Sequence, residues 1–182
     1  MRKLKLQVHI SIDGFVAGPA GESDWIFNGA SQQPVIDLAD SCDTILMGRK
    51  MSQGFIEHWE NILDKSGGRE QPLAQRMVSM RKIVFSRTQT TIQGRNAEMA
   101  NGDLVATVQA LKQEAGKDMI VYGGATFVSS LIEHNLIDEY NLFVKPVALG
   151  NGLSIFKTRK PLVLVKSVNH ENLVTINTYL PG

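Results

Sequence analysis

The stretch that most constrains this chain runs from Met119 to Gly152. A short β-rich run, Ile120 to Tyr122, stops at Gly123-Gly124. Phe127, Val128, Leu131 and Ile132 then recur at helical spacing, and a second strand is predicted from Glu139 to Val147. The unit is therefore strand, glycine turn, helix, strand. Two glycines at the carboxyl end of a buried strand let a ligand approach the backbone with no side chain in the way. The free N–H groups of the next helix's first turn favour an anion, and a phosphate or pyrophosphate is the physical expectation. The same pair also serves as a plain tight turn, so other residues must decide.

Two further strand ends repeat the geometry. Thr44 to Met47 reads as a short buried strand ending at Gly48-Arg49, followed by a helix starting near Met51 and running to Trp59. Gly48 permits close approach, and the Arg49 guanidinium offers a fork suited to phosphate oxygens. Lys82 to Phe85 is another strand, and it ends in Ser86-Arg87-Thr88. Two hydroxyls and an Arg suit a phosphorylated ribose, although the triplet is also an ordinary turn.

The remaining elements fill in around these. Lys3 to Ile12 alternates, with Leu4, Leu6, Val8 and Ile10 on one side. Pro19 to Asn28 is loop-like, with Gly21, Ser23 and Gly29 breaking the periodicity and Trp25-Ile26-Phe27 set inside it. Trp25 either roofs a pocket or pins the loop to the core. Helices are predicted over Pro34 to Cys42 and Pro72 to Met80, with an exposed loop from Glu60 to Glu70 between them and the strands. Asn101-Gly102-Asp103 offers an N-cap for a helix whose inner face is Leu104, Val108, Leu111 and Ala115 and which Gly116 closes. Pro161 to Val168 and Leu173 to Leu180 form a final antiparallel hairpin. Strands and helices alternate until that antiparallel end. The expected architecture is a single α/β domain, three layers αβα, around a mostly parallel sheet with a C-terminal antiparallel hairpin. In such sheets ligands bind beyond the carboxyl ends of the strands, so one extended ligand can touch all three glycine and arginine tips.

Composition excludes several function classes. The 182 residues carry a formal net charge of +1 and no dense basic block, which gives no electrostatic case for nucleic acid or an acidic membrane. No apolar run approaches the roughly 20 residues that span a bilayer, so a cytoplasmic protein is expected. Cys42 is the single cysteine, which rules out an internal disulfide and points to core filling. His9, His58, His134 and His170 are scattered without metal-ligand spacing, and no metal is expected. Gly150-Asn-Gly152 lacks the third glycine of a dinucleotide fingerprint, and neither a Gly-Lys-Ser/Thr phosphate loop nor a Gly-x-Ser-x-Gly turn is present.

Several segments in order carry a resemblance: Ser11-Ile-Asp13-Gly14-Phe-Val-Ala17-Gly18, Met47-Gly48-Arg49-Lys-Met-Ser52, Val84-Phe-Ser86-Arg87-Thr88, Val121-Tyr-Gly123-Gly124-Ala125-Thr126, and Leu136-Ile-Asp138-Glu139 through Pro146 to Gly152. The chain resembles the dihydrofolate reductase superfamily, and more closely its branch akin to the reductase domain of the bifunctional riboflavin-biosynthesis deaminase-reductase. The resemblance implies an NADPH site. Gly48, Arg49 and Ser52 would lie at the adenosine phosphate and pyrophosphate, and Ser86, Arg87 and Thr88 at the adenine side. Gly123, Gly124, Ala125, Thr126 and Phe127 would form the pyrophosphate turn, with Ala17 near the nicotinamide.

The resemblance further implies an NADPH-dependent reductase acting on a small conjugated heterocycle, pterin-like or riboflavin-precursor-like, and a homodimer. The alternative is an NADP(H)-binding sensor or assembly protein without turnover. Folate reductases that use a carboxylate place it on the first helix. The matching region here is Gln32-Gln33, which can hydrogen-bond a heterocycle but cannot titrate. Trp25, Gln32 and Gln33 are the candidate substrate contacts. Asp24 is the candidate proton relay and Asp37 the next nearest carboxylate.

Overall fold

The computed structural model describes residues 1–26, 32–65 and 67–182. Phe27 to Gly29 of the loop-like stretch, and Ser66 of the next one, lie outside the described residues. The elements in chain order begin with β1 (Leu4–Ser11), a single 3-10 turn (Asp24–Ile26), α1 (Gln33–Asp40), β2 (Cys42–Gly48), α2 (Arg49–Asp64) and α3 (Gln71–Ser79). They continue with β3 (Arg81–Phe85), β4 (Ala97–Ala100), α4 (Leu104–Gln113), β5 (Asp118–Val121), α5 (Ala125–Glu133), β6 (Glu139–Lys145), β7 (Leu162–His170) and β8 (Val174–Pro181). The fold is α/β, with an eight-stranded, mostly parallel sheet and a C-terminal antiparallel hairpin. The chain divides into two compact units, Met1–Lys3 with Gln32–Gly124, and Leu4–Ser31 with Ala125–Gly182.

In the first unit the strands run β4-β3-β2-β5, all parallel. Parallel strands covered on both faces read as unbroken apolar runs, and Ile45-Leu46-Met47, Ile83-Val84-Phe85 and Met119-Ile120-Val121 do so and are buried. Ile36 and Ala39 of α1 and Leu73 and Met77 of α3 pack with Ile45, Met47, Val84 and Ile120 in one core cluster. Cys42 is buried in that cluster, as the expectation of core filling requires. Lys82 is the exception in the apolar run of β3. It is 1% exposed, and its ammonium donates to the carbonyls of Met77 (2.9 Å), Val78 (2.8 Å) and Met80 (2.7 Å). Those carbonyls close α3, whose last turn leaves acceptors without helical partners.

In the second unit the order is β1-β6-β8-β7. Strands β1 and β6 are parallel, and the β6–β8 and β8–β7 pairs are antiparallel. Helix α5 buries Val128, Ser129, Leu131 and Ile132. Leu4, Leu6, Val8 and Ile10 are buried as their alternation predicts, but Lys5 and Gln7 between them and Ser11 after them are buried too. Both faces of β1 are therefore covered along part of its length. The hairpin turns through Glu171 and Asn172, both left-handed at φ 56° and 55°, which matches the twist of the strands they join.

Three expectations need correction. Helix α2 continues to Asp64, through the stretch read as loop from Glu60. Ile62 and Leu63 continue the helical apolar spacing of Phe55, Ile56 and Trp59, a signal already present in the sequence. Helix α4 stops at Gln113, so Ala115 lies beyond its inner face, although Asp103 does cap it by accepting from the Ala106 N–H at 2.9 Å. Strand β4 was not foreseen. Ala97-Glu98-Met99-Ala100 has neither β-branching nor alternation, and its pairing to β3 alone makes it a strand. Among the described residues, no helix is long and apolar enough to cross a membrane.

Because Lys82 satisfies three carbonyls at once, Lys82→Met is expected to lower unfolding free energy by about 3 kcal/mol. Urea denaturation checks this, and a loss below about 1 kcal/mol would show that water replaces the ammonium without cost.

Candidate functional site

Within the first unit, β3, β2 and β5 lie side by side, with Gly48 opposite Phe85 and Leu46 opposite Val121. The three predicted tips, Gly48-Arg49, Ser86-Arg87-Thr88 and Gly123, thus leave the same end of the sheet from neighbouring strands. Helix α2 starts at Arg49 with Gly48 as its side-chain-free cap, and its first turn holds no acidic residue. Its unpaired N–H groups leave partial positive charge there.

The cations at the two ends of these strands are treated differently. At the amino ends Arg2 pairs with Asp43 and Glu114, and Arg81 with Glu98 and Glu114. Arg76 and Arg95 are held by Asp40 and Asp64. At the carboxyl ends Arg49, Lys50 and Arg87 are exposed, and among the described residues they have no ion-pair partner. The arginines at this end of the first unit are thus left unpaired, whereas Arg2 and Arg81 at the other end are paired.

Local bonding shapes each tip. Ser86 Oγ accepts from the N–H groups of Gln89 (2.8 Å) and Thr88 (3.2 Å), and Asn101 Nδ2 donates to the carbonyls of Ser86 and Gln89. The Ser86 hydroxyl thus builds the turn, while Arg87 and Thr88 stand exposed on it. Ser52 is 0% exposed, and its hydroxyl donates back to the Arg49 carbonyl at 3.0 Å, bracing the first turn of α2. Tyr122 stacks on Phe55 of α2 at 5.9 Å, which ties the β5 tip to that helix. Its hydroxyl is shielded without a hydrogen-bond partner, and burial pushes the phenol pKa up. A Cβ on Gly123 would sit 3.6 Å from Met51 Sδ, so the glycine backbone lies against the start of α2. Gly124 has φ 63°, the left-handed region, and Ala125 begins α5 directly after it.

The remaining candidates are placed as follows. Ala17, in the second unit, pairs with Leu153, its carbonyl accepting from the Leu153 N–H at 2.9 Å. Ala125, Thr126 and Phe127 form the start of α5, with Thr126 exposed. Asp24 is exposed in the 3-10 turn, and the neighbouring Trp25 has its Nε1 shielded without a partner among the described residues. In the first unit Gln32 precedes α1. Its Nε2 donates to Glu70 Oε1 at 3.2 Å, and its own Oε1 is shielded without a partner among the described residues. Gln33 is exposed and donates to Asp37 at 2.6 Å, so these two side chains are engaged with each other along α1.

Two groups escaped the sequence reading. Glu70, at the cap position of α3, brings a carboxylate to Gln32 through a contact between residues 38 positions apart. His9 packs edge-on against Phe143 at 5.3 Å, and burial, with Lys145 nearby, lowers its pKa to about 4. It is therefore neutral at pH 7 and no reservoir of protons. Among the described residues, no group of three or more His, Cys, Asp or Glu side chains is arranged to hold a metal ion.

A mostly parallel sheet with a C-terminal antiparallel hairpin gives this chain a dihydrofolate-reductase-like fold. The solved dihydrofolate reductase of Enterococcus faecalis, complexed with NADP(H) and RAB-propyl, is similar with a TM-score of 0.61 at 13% identity, covering 99% of this chain and 96% of that one. RibD of Acinetobacter baumannii has a TM-score of 0.71 at 17% identity, covering 100% of this chain and 58% of that one. In sequence, residues 2–177 match the RibD C-terminal domain, and the chain belongs to that family. The uncharacterized protein YyaP of Bacillus subtilis (strain 168) is 34% identical over 170 residues, 92% of this chain and 87% of that protein.

Gly124→Val places a branched side chain in the left-handed region and is expected to cost about 1 to 3 kcal/mol of stability. Urea denaturation checks this, and a variant as stable as the parent would show that the turn accepts a β-branched residue.

Proposed function

We propose that this chain is an NADPH-dependent reductase that delivers hydride to a small conjugated heterocycle, pterin-like or riboflavin-precursor-like. The observation that carries this reading is the set of uncompensated cations, Arg49, Lys50 and Arg87, beside the unpaired amides of α2 at one end of three aligned parallel strands. That surface suits an extended ligand bearing several phosphates. Membership of the RibD C-terminal domain family supports a reductase-type role.

The donor set fits NADPH. Arg49 would meet the 2′-phosphate, and Arg87 with Thr88 would flank the adenine side on the turn that Ser86 builds. Gly123 and Gly124 would let the pyrophosphate reach the backbone and the first amides of α5, from Ala125 to Phe127. Ala17 would lie by the nicotinamide. The bound nicotinamide supplies the hydride. This chain's own part is to hold the acceptor, exclude water and place a proton. Trp25, with its shielded Nε1, and Gln32, with its shielded Oε1, each have an unused hydrogen-bonding atom suited to a heterocycle, whereas Gln33 is already engaged with Asp37. Asp24 would relay the proton.

A second reading, NADP(H) binding without turnover, is favoured by one observation: the first-helix position holds an amide where folate reductases have a carboxylate. Recording NADPH oxidation against a panel of pterins, flavin precursors and quinones, alongside a cofactor titration, separates the two. Binding with no turnover supports the second reading, and no binding removes both. A second copy of the chain is the proposed partner. It would cover Val163, Leu164 and Val165, each about half exposed at 53%, 53% and 52% on β7. Light scattering giving 20.1 kDa at micromolar concentration would dispose of the dimer.

NADPH should bind more tightly than NADH, and Arg49→Ala should reduce that preference roughly tenfold to a hundredfold, as removal of a charge-assisted hydrogen bond implies. Equal affinities in the parent would count against Arg49. Asp24→Asn should cut turnover while leaving NADPH affinity nearly unchanged, and dihydrofolate should be reduced slowly or not at all. Efficient dihydrofolate turnover by the parent, or full activity in the variant, would overturn the assignment of Asp24.

A further inference from the structure

In the second unit, two loops leave the carboxyl ends of the parallel strands β1 and β6, residues 12–18 and 146–153. Asp13 spans them. Its Oδ1 accepts from Ser11 Oγ at 2.6 Å and from the Leu149 N–H at 3.2 Å. Its Oδ2 accepts from the N–H groups of Leu149 at 3.0 Å and Gly150 at 2.7 Å. Ser11 Oγ in turn accepts from the Phe15 N–H at 2.9 Å, which closes the turn through Gly14. The Ser11 hydroxyl, followed by the Gly150 amide, holds the Asp13 carboxyl below its ordinary pKa, so the group is charged at neutral pH.

The same two loops are joined on either side of this carboxylate. The Ile12 N–H donates to the Val147 carbonyl at 2.9 Å, the Val16 N–H to the Leu153 carbonyl at 2.8 Å, and the Leu153 N–H to the Ala17 carbonyl at 2.9 Å. Gly152 lies so close that a Cβ there would fall 2.3 Å from the Ala17 carbonyl oxygen and 3.1 Å from Phe15. The position of Ala17 is thus set by the second loop, and Asp13 is the one charged side chain bonding the two loops together among the described hydrogen bonds. Asp13 and Gly150 are exposed. Water can take over the amides if the carboxylate is lost, so the effect of its removal is local loosening rather than unfolding.

We propose that Asp13 is a positioning residue whose carboxylate holds loop 12–18 on loop 146–153 and thereby fixes Ala17 for the nicotinamide half of the cofactor. The inference rests on the reading above that the chain binds NADPH. The described hydrogen bonds of Asp13 run only to Ser11, Leu149 and Gly150, so its loss is expected to leave Arg49 and Arg87 as they are.

The test compares the parent with Asp13→Ala, the milder Asp13→Asn, and Asp103→Ala, which removes the cap of α4 and serves as a structural control. Amide hydrogen exchange is read at Val16, Leu149, Gly150 and Leu153. Affinity is read for NADPH and for adenosine 2′,5′-bisphosphate, which lacks the nicotinamide. Asp13→Ala should speed exchange at those amides about tenfold or more and weaken NADPH about tenfold, with the bisphosphate unchanged. Asp13→Asn, which keeps one acceptor oxygen, should recover part of both, and it decides the matter if the alanine variant does not fold. Asp103→Ala should leave the ratio of the two affinities at the parent value. Unchanged exchange in the Asp13 variants, or equal weakening of both ligands, overturns the proposal. A parent that binds neither ligand overturns the cofactor reading itself and the proposal with it.

Discussion

The candidate site depends on one constraint, that β3, β2 and β5 end together. Gly48 stands opposite Phe85, and Leu46 stands opposite Val121 two residues short of the glycines on each side. Hydrophobicity alone holds this register weakly, because Ile45, Leu46 and Met47 are all buried and a one-residue slip would exchange one apolar side chain for another. Polar anchors do more. Lys82 ties the start of β3 to the carbonyls at the end of α3, which fixes how the strand leaves that helix. Arg2 reaches Thr44 Oγ1 at 2.7 Å and also pairs with Asp43, which marks the start of β2.

Charge in the first unit is sorted along the strand direction. At the amino ends Arg2 and Arg81 are both paired with carboxylates. At the carboxyl ends Arg49, Lys50 and Arg87 stand without an ion-pair partner among the described residues, and Arg49 and Lys50 open α2 beside its free amides. The exposed pairs of Arg81 contribute little to stability, whereas Arg2 is buried and bonded to Asp43 and Thr44. The unpaired arginines and the α2 amides together give an anion an attractive field at the carboxyl ends.

The second unit solves a different problem. Its parallel pair, β1 and β6, carries polar residues that are nevertheless buried, and its loops are cross-linked by backbone rungs around an exposed carboxylate. Rigidity at the tips of β1 and β6 therefore comes from hydrogen bonds rather than apolar packing. Such loops respond to single substitutions without loss of the fold, a property suited to a segment that has to meet a ligand.

Much of this was present in the sequence. Apolar runs bounded by Gly48, Ser86 and Gly123 define strands and their tips because burial and glycine freedom act locally, and periodicity predicted every helix to within a turn except at the far end of α2. Those local signals also determined the fold class, since strands that alternate with helices must cross over in parallel. Tertiary structure alone decided the rest. Strand β4 exists only because β3 offers it a ladder, and Glu70 meets Gln32 only because α3 folds onto α1. The same is true of the two uses of charge: sequence marks Asp13 and Arg49 as ionic, but it cannot say that one is consumed by backbone amides and the other left unpaired. Pairing between distant residues depends on the geometry of the whole chain, which no window of local sequence contains.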